Sequence, residues 1–133
     1  MKIDHIGYAV RDIGKAKKQL AALGYVFEDT IEDADRNVFL AFGELDGYRV
    51  ELVAPLNRDL ESPVDSVLAK NGPTPYHVCY ISNNLEADME ALRKNRFKIT
   101  VSPAPAVAFN GKRVVFLYSL SAGLVEIVEV SQE

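Results

Sequence analysis

Two histidines and two glutamates stand in apolar, strand-like surroundings in this chain, and they recur in the same order. His5 lies in KIDHIGYAV (2–10) and His77 in PYHVCYI (75–81), while Glu51 lies in RVELV (49–53) and Glu126 in LVEIV (124–128). A histidine inside a strand is usually a packed residue with one nitrogen satisfied. A glutamate there is harder to explain, because an unpaired buried carboxylate is costly. Two inward glutamates near each other repel unless a cation sits between them. Two neutral imidazoles and two carboxylates, however, form a good donor set for a divalent transition metal, with water completing the coordination. Nickel, cobalt, manganese and zinc all suit such a site, and an octahedral arrangement favours the first three. One ion per four-ligand site is expected.

The elements that must position these four are legible from hydrophobic period. Residues 2–10 read as a strand. Asp12 can cap a helix with Ile13, Ala16, Leu20 and Leu23 on one face, closed by Gly24. Strands follow near 25–29, 37–43 and 48–54, with GELDG (43–47) as the turn between the last two. From Tyr76 the order begins again: a strand, a helix opened by Asn83 and Glu86 with Leu85, Met89 and Leu92 on one face, then strands near 96–101, 112–119 and 123–130. The chain is βαβββ written twice. At an offset of 72, His5 maps to His77, Ile6 to Val78, Tyr8 to Tyr80 and Leu20 to Leu92, and at an offset of 75 Glu51 maps to Glu126. Such a repeat predicts paired copies of one unit, here an α+β fold of two tandem modules forming a curved mixed sheet. The expected boundaries are a single domain over 1–133, with module 1 at about 1–55, a linker helix at about 62–71 and module 2 at about 75–130. Strand alternation turns Ile6, Tyr8, Val10, Val50 and Leu52 toward helices and His5 and Glu51 away from them. The second module repeats this, so His, Glu, His and Glu are expected on the concave side of one sheet.

Bulk properties narrow the function classes. A length of 133 residues suffices for a real core. Net charge of −4 gives no support for nucleic-acid binding. No apolar run approaches the ~20 residues of a membrane span. Asp4 and His5 interrupt any signal-like stretch, and the lone Cys79 fits a reducing compartment, so a cytoplasmic protein is expected. Cys79 reads as a small buried strand residue rather than a nucleophile.

With these residues in place, the sequence resembles the vicinal oxygen chelate superfamily, which includes glyoxalase I, methylmalonyl-CoA epimerase, extradiol dioxygenases and bleomycin-resistance proteins. The resemblance covers nearly the whole chain, and DHIGYAV, VELVAP, SPVDSVL and GKRVVFL look most like the epimerase and its glyoxalase-like relatives. It implies metal ligands at the first strand and near the end of each module, where His5, Glu51, His77 and Glu126 stand. It implies an isomerase or lyase, either a metal-dependent glyoxalase (lactoylglutathione lyase-like) or an acyl-CoA epimerase. The reaction would be reversible proton transfer beside a carbonyl or enolate oxygen gripped by the metal, on a thioester or hemithioacetal. Glu126 is the implied base and Glu51 the second choice. Ala9 and Pro55 occupy the places where glutathione-dependent glyoxalases carry an Arg and an Asn, which tilts the substrate away from glutathione adducts. The epimerase's second acidic base has no clean counterpart; Glu32, Asp33 and Asp35 read as exposed loop acids. In PAPAVAFNGKR (103–113), Lys112 or Arg113 could meet an anionic tail such as a CoA phosphate, although a solvated strand-end charge is the simpler reading. The family also implies a homodimer.

Two rivals follow from the same residues. An Fe(II) dioxygenase needs two His and one carboxylate with open positions, and Glu51 is one ligand too many for it. A drug-binding protein of the bleomycin-resistance kind would not need the full metal set.

Overall fold

A computed structural model describes residues 1–130. Among them are nine strands, three α-helices and one short 3-10 helix. This is the α+β pattern that the repeat predicts, with the second module as βαβββ and the first carrying one additional short strand. The chain folds as two compact units, His5–Tyr76 and Met1–Asp4 with the residues from His77 onward.

The first module runs β1 (Lys2–Ala9), α1 (Ile13–Ala21), β2 (Val26–Phe27), β3 (Ile31–Asp33), β4 (Val38–Leu45) and β5 (Tyr48–Pro55), followed by α2 (Asp65–Asn71). Its strands are ordered β2-β4-β5-β1, with β3 also on β4. β1 and β5 are parallel and the other pairs antiparallel. Asp12 caps α1 by accepting from the Lys15 N–H at 2.9 Å. Tyr8, Val10, Ile13, Ala16, Leu20, Leu52 and Ala54 pack together on the helix side, as alternation requires. Full burial of Leu52 alone contributes roughly 1.5–3 kcal/mol. Leu23 departs from expectation: α1 ends at Ala21, so Leu23 sits in the following turn and is exposed.

Three further expectations are corrected here. Strand pairing extends β4 to Leu45, so the β4–β5 turn is only Asp46-Gly47, both at positive φ as a two-residue hairpin of this type requires. The segment Ile31–Asp33, read as a loop, is a strand on β4. Asp33 is buried there and accepts from the backbone N–H and guanidinium of Arg36. Glu32 and Asp35 are exposed, as expected. The α2 helix begins at Asp65 rather than at Ser62; the Asp65 carboxylate accepts from the Ser62 N–H at 2.8 Å. Val64 and Leu68 are its buried face.

The second module runs β6 (Thr74–Ser82), α3 (Leu85–Lys94), β7 (Lys98–Pro105), the 3-10 turn Val107–Phe109, β8 (Arg113–Ser119) and β9 (Gly123–Glu129). Its order is β6-β9-β8-β7, with β6 and β9 parallel. The cap of α3 is Asn84, one residue later than expected, accepting from Ala87 N–H at 3.1 Å. Leu85, Val115, Leu117 and Ile127 form the helix-side core with Met89 and Leu92. Arg113 is a partly exposed charge, as expected of a strand end, and its guanidinium is also bonded to Glu129 and, at 2.8 Å, to Glu86, tying α3 to β8 and β9. No helix among the described residues is long and apolar enough to cross a membrane.

Candidate metal centre

In the first module β1 and β5 run parallel, with Gly7 as the Cα partner of Glu51 and His5 as the next residue on that face of β1. The strand face opposite the helices therefore brings an imidazole and a carboxylate together. His5 Nε2 stands 3.5 Å from Glu51 Oε1. The Phe42 ring, on β4 and in register with Glu51, meets the His5 ring edge to face at 5.6 Å and 75°.

The second module builds the same group from its own strands. Cys79 is the Cα partner of Glu126, and His77 precedes it on that face of β6. His77 Nε2 stands 3.2 Å from Glu126 Oε1. Phe116, in register with Glu126, meets the His77 ring at 5.5 Å and 88°. Beside this pair lies an apolar floor of Cys79, Ala106, Val114 and Val128 with Ile81 and Phe109. Cys79 is buried and free of disulfide, as expected.

All four polar residues are 1–4% exposed, so each module holds a carboxylate where water cannot solvate it well. The donor spacing fits metal ligation. Two donors each about 2.1 Å from a shared ion stand roughly 3.0 Å apart in an octahedron and about 3.4 Å in a tetrahedron. The observed 3.5 and 3.2 Å lie close to both values. Each pair offers one imidazole nitrogen and one carboxylate oxygen to an ion.

Sequence reasoning located the two pairs but missed Phe42 and Phe116. A signal was available: the two phenylalanines are 74 residues apart, between the offsets of the histidines and the glutamates. Each orients an imidazole through an edge-to-face contact, worth about 0.5–1.5 kcal/mol. Of the other residues considered, Ala9 is buried in β1 and Pro55 ends β5, and neither side chain can donate a hydrogen bond. Lys112 is half-buried immediately before β8.

Comparison with known proteins adds a lineage to this geometry. Residues 4–116 match the family described as Glyoxalase/Bleomycin resistance protein/Dioxygenase superfamily. An uncharacterized Bacillus subtilis protein, YqjC, is 30% identical over 119 residues, covering 87% of this chain and 81% of its own. Human mitochondrial methylmalonyl-CoA epimerase is 29% identical over 133 residues, covering 98% of this chain and 73% of its own. Among solved structures, a Streptomyces coelicolor methylmalonyl-CoA epimerase in complex with 2-nitronate-propionyl-CoA superimposes with a TM-score of 0.82 at 25% identity, over 99% of each chain.

Proposed function

This chain belongs to the Glyoxalase/Bleomycin resistance protein/Dioxygenase superfamily, and from that premise we propose a metal-dependent isomerase or lyase in which His5, Glu51, His77 and Glu126 hold one divalent ion. The observation that carries the reading is the repeated buried pair, an imidazole and a carboxylate at ligand spacing in each module. Similarity to methylmalonyl-CoA epimerases favours proton transfer next to a carbonyl. A divalent ion bound there supplies Lewis acidity toward a carbonyl oxygen and makes the adjacent C–H more acidic.

The protein's own part is proton handling and placement. Glu126 takes the proton from the α-carbon and returns it, to the same or the neighbouring carbon. Glu51 is the second candidate for that role. Phe42 and Phe116 fix the imidazoles, and the floor of Cys79, Val114 and Val128 accepts the apolar part of the substrate. The substrate is an α-acidic thioester or hemithioacetal, and Ala9 and Pro55 favour a thiol carrier other than glutathione. The protein works as a homodimer in a reducing cytoplasm. Sheet edges that need covering support the first statement and the single cysteine, Cys79, the second.

Metal analysis of the purified protein, followed by solvent deuterium exchange, tests the proposal. Deuterium should enter the α-position of methylmalonyl-CoA or of a methylglyoxal–thiol product. Glu126→Gln should lower that exchange by about 10²–10⁴-fold. A fully metallated protein that exchanges neither class of substrate would remove the isomerase reading and leave only a metal site.

A further inference from the structure

The two modules differ in the connection that precedes their penultimate strand. Between β3 and β4 it is residues 34–37, whereas between β7 and β8 it is residues 106–112, three residues longer. The longer connection contains the 3-10 turn Val107–Phe109 and closes on itself. Ala106 accepts from the N–H groups of Phe109 at 3.1 Å and Gly111 at 3.0 Å, and donates to the Lys112 carbonyl at 3.0 Å. Asn110 and Gly111 supply the positive φ values of 55° and 84° that the reversal needs, in two residue types that tolerate them. A turn pinned at both ends in this way is a preformed wall.

That wall stands on the same side of the sheet as the His77–Glu126 pair. By register Cys79 is level with Glu126 and shares its face, Val128 is the next residue on that face of β9, and Val114 lies opposite Val128. Ala106 is buried among these three, and Phe109, Ile81 and Phe116 pack against the cluster. Phe116 is also the ring that meets His77, so the cluster adjoins the proposed base. Phe109 is only half-buried and stands at the margin of the cluster. Every side chain here is apolar, so an apolar group is what this end of the site can take. The space for that group is short. With the turn in place Cys79, Ala106, Val114 and Val128 are each at most 5% exposed, and an interior packed to this degree leaves few voids larger than a water molecule.

We infer that Phe109 is a specificity-determining residue: with Ala106 it walls off the apolar end of the site and limits the group carried on the reacting carbon to a short alkyl chain. This rests on the function proposed above, and it concerns the size of the substrate in either of the two classes named there.

The test compares solvent deuterium exchange into a small and a large member of each class: methylmalonyl-CoA against benzylmalonyl-CoA, and the CoA hemithioacetal of methylglyoxal against that of phenylglyoxal. Wild type should favour the small member. Phe109→Ala should raise the large-to-small ratio by about 10- to 200-fold, the discrimination an apolar pocket exerts on a methylene. Phe109→Leu should give a smaller rise and Phe109→Trp a fall. Val107 is on the same turn with its side chain exposed, so Val107→Ala should leave the ratio where it is. An equal rise there would trace the effect to disruption of the turn and overturn the role of Phe109.

Cys79 is the only cysteine of the chain and gives a second reading that needs neither metal nor turnover. Under conditions where circular dichroism shows the fold intact, Phe109→Ala should react with iodoacetamide about tenfold faster than wild type, because the floor is locally uncovered. Equal labelling of the two proteins, or an unchanged ratio in Phe109→Ala, overturns the inference. The two readings fail separately. Faster labelling in a protein that exchanges no substrate keeps the wall and removes the isomerase. Exchange whose size preference ignores Phe109 does the reverse.

Discussion

His77 and Asn37 are both buried polar residues, but they answer different demands. Asn37 sits in the left-handed region at φ 56, a conformation Asn tolerates better than most residues. Its side-chain amide donates to the carbonyls of Asn57 at 2.9 Å and Glu61 at 3.0 Å, and its carbonyl accepts from the Asn57 N–H at 2.8 Å. It thereby fixes the loop between β5 and α2. Asn37→Ala should cost about 1–3 kcal/mol in urea unfolding, the range for buried groups left unpaired, while metal content stays at the wild-type level. His77→Ala should behave in the opposite way, stripping metal while circular dichroism shows the fold retained. Full metal occupancy in His77→Ala would mean the ligands are misassigned. These roles were unequally legible. A histidine that repeats with a glutamate in apolar strands declares itself, because burial of both is otherwise unfavourable. The partners of Asn37 are 20 to 24 residues away and make sense only once the loop is closed.

At the scale of elements, the strands and helices with a clear period were readable, and failures occurred where tertiary pairing overrode local character. Ile31–Asp33 carries two acids in three residues and has no strand-like pattern; β4 supplies the partner that makes it a strand. Gly43 illustrates the same point. It read as part of a turn, yet it lies inside β4, where an added Cβ would come within 2.4 Å of the Phe27 ring carbons. Gly43→Ala should therefore destabilise the protein by about 1–3 kcal/mol through overpacking. Adding Phe27→Leu should recover part of the loss, and a double variant no better than Gly43→Ala would show that the clash is not the cause. The tie from α3 to β8 makes a pH prediction. The Arg113 hydrogen bond holds the Glu86 carboxyl below its ordinary value. A depressed carboxylate pKa contributes stability above the unfolded-state value and loses it as pH falls through the folded-state value. The tie should thus be intact at neutral pH and fade only in acid. An NMR titration of the Glu86 carboxyl should give a midpoint below that of free glutamate, and an ordinary midpoint would contradict it.

For the whole molecule, the repeat was the most informative feature of the sequence, because it turned four scattered residues into two copies of one arrangement. Each copy now has the same parts: a parallel pair of strands, a histidine and a glutamate on one face, and a phenylalanine against the imidazole. What the repeat could not supply was the difference between the copies, since the turn over residues 106–112 has no counterpart of its length in the first module. The proposed shared ion has a consequence for stability that two separate ions would not. Metal that binds the folded chain stabilises it by mass action, about 2.7 kcal/mol at a hundredfold excess over the dissociation constant. With one ion held by both modules, His5→Ala and His77→Ala should each abolish the rise in melting temperature on adding metal, and the double variant should lose nothing more. Stoichiometry should be one ion per chain in the wild type and near none in either single variant. If each pair instead holds its own ion, each single variant keeps one of two ions and part of the thermal shift. That result would refute the shared centre while leaving both pairs as metal ligands.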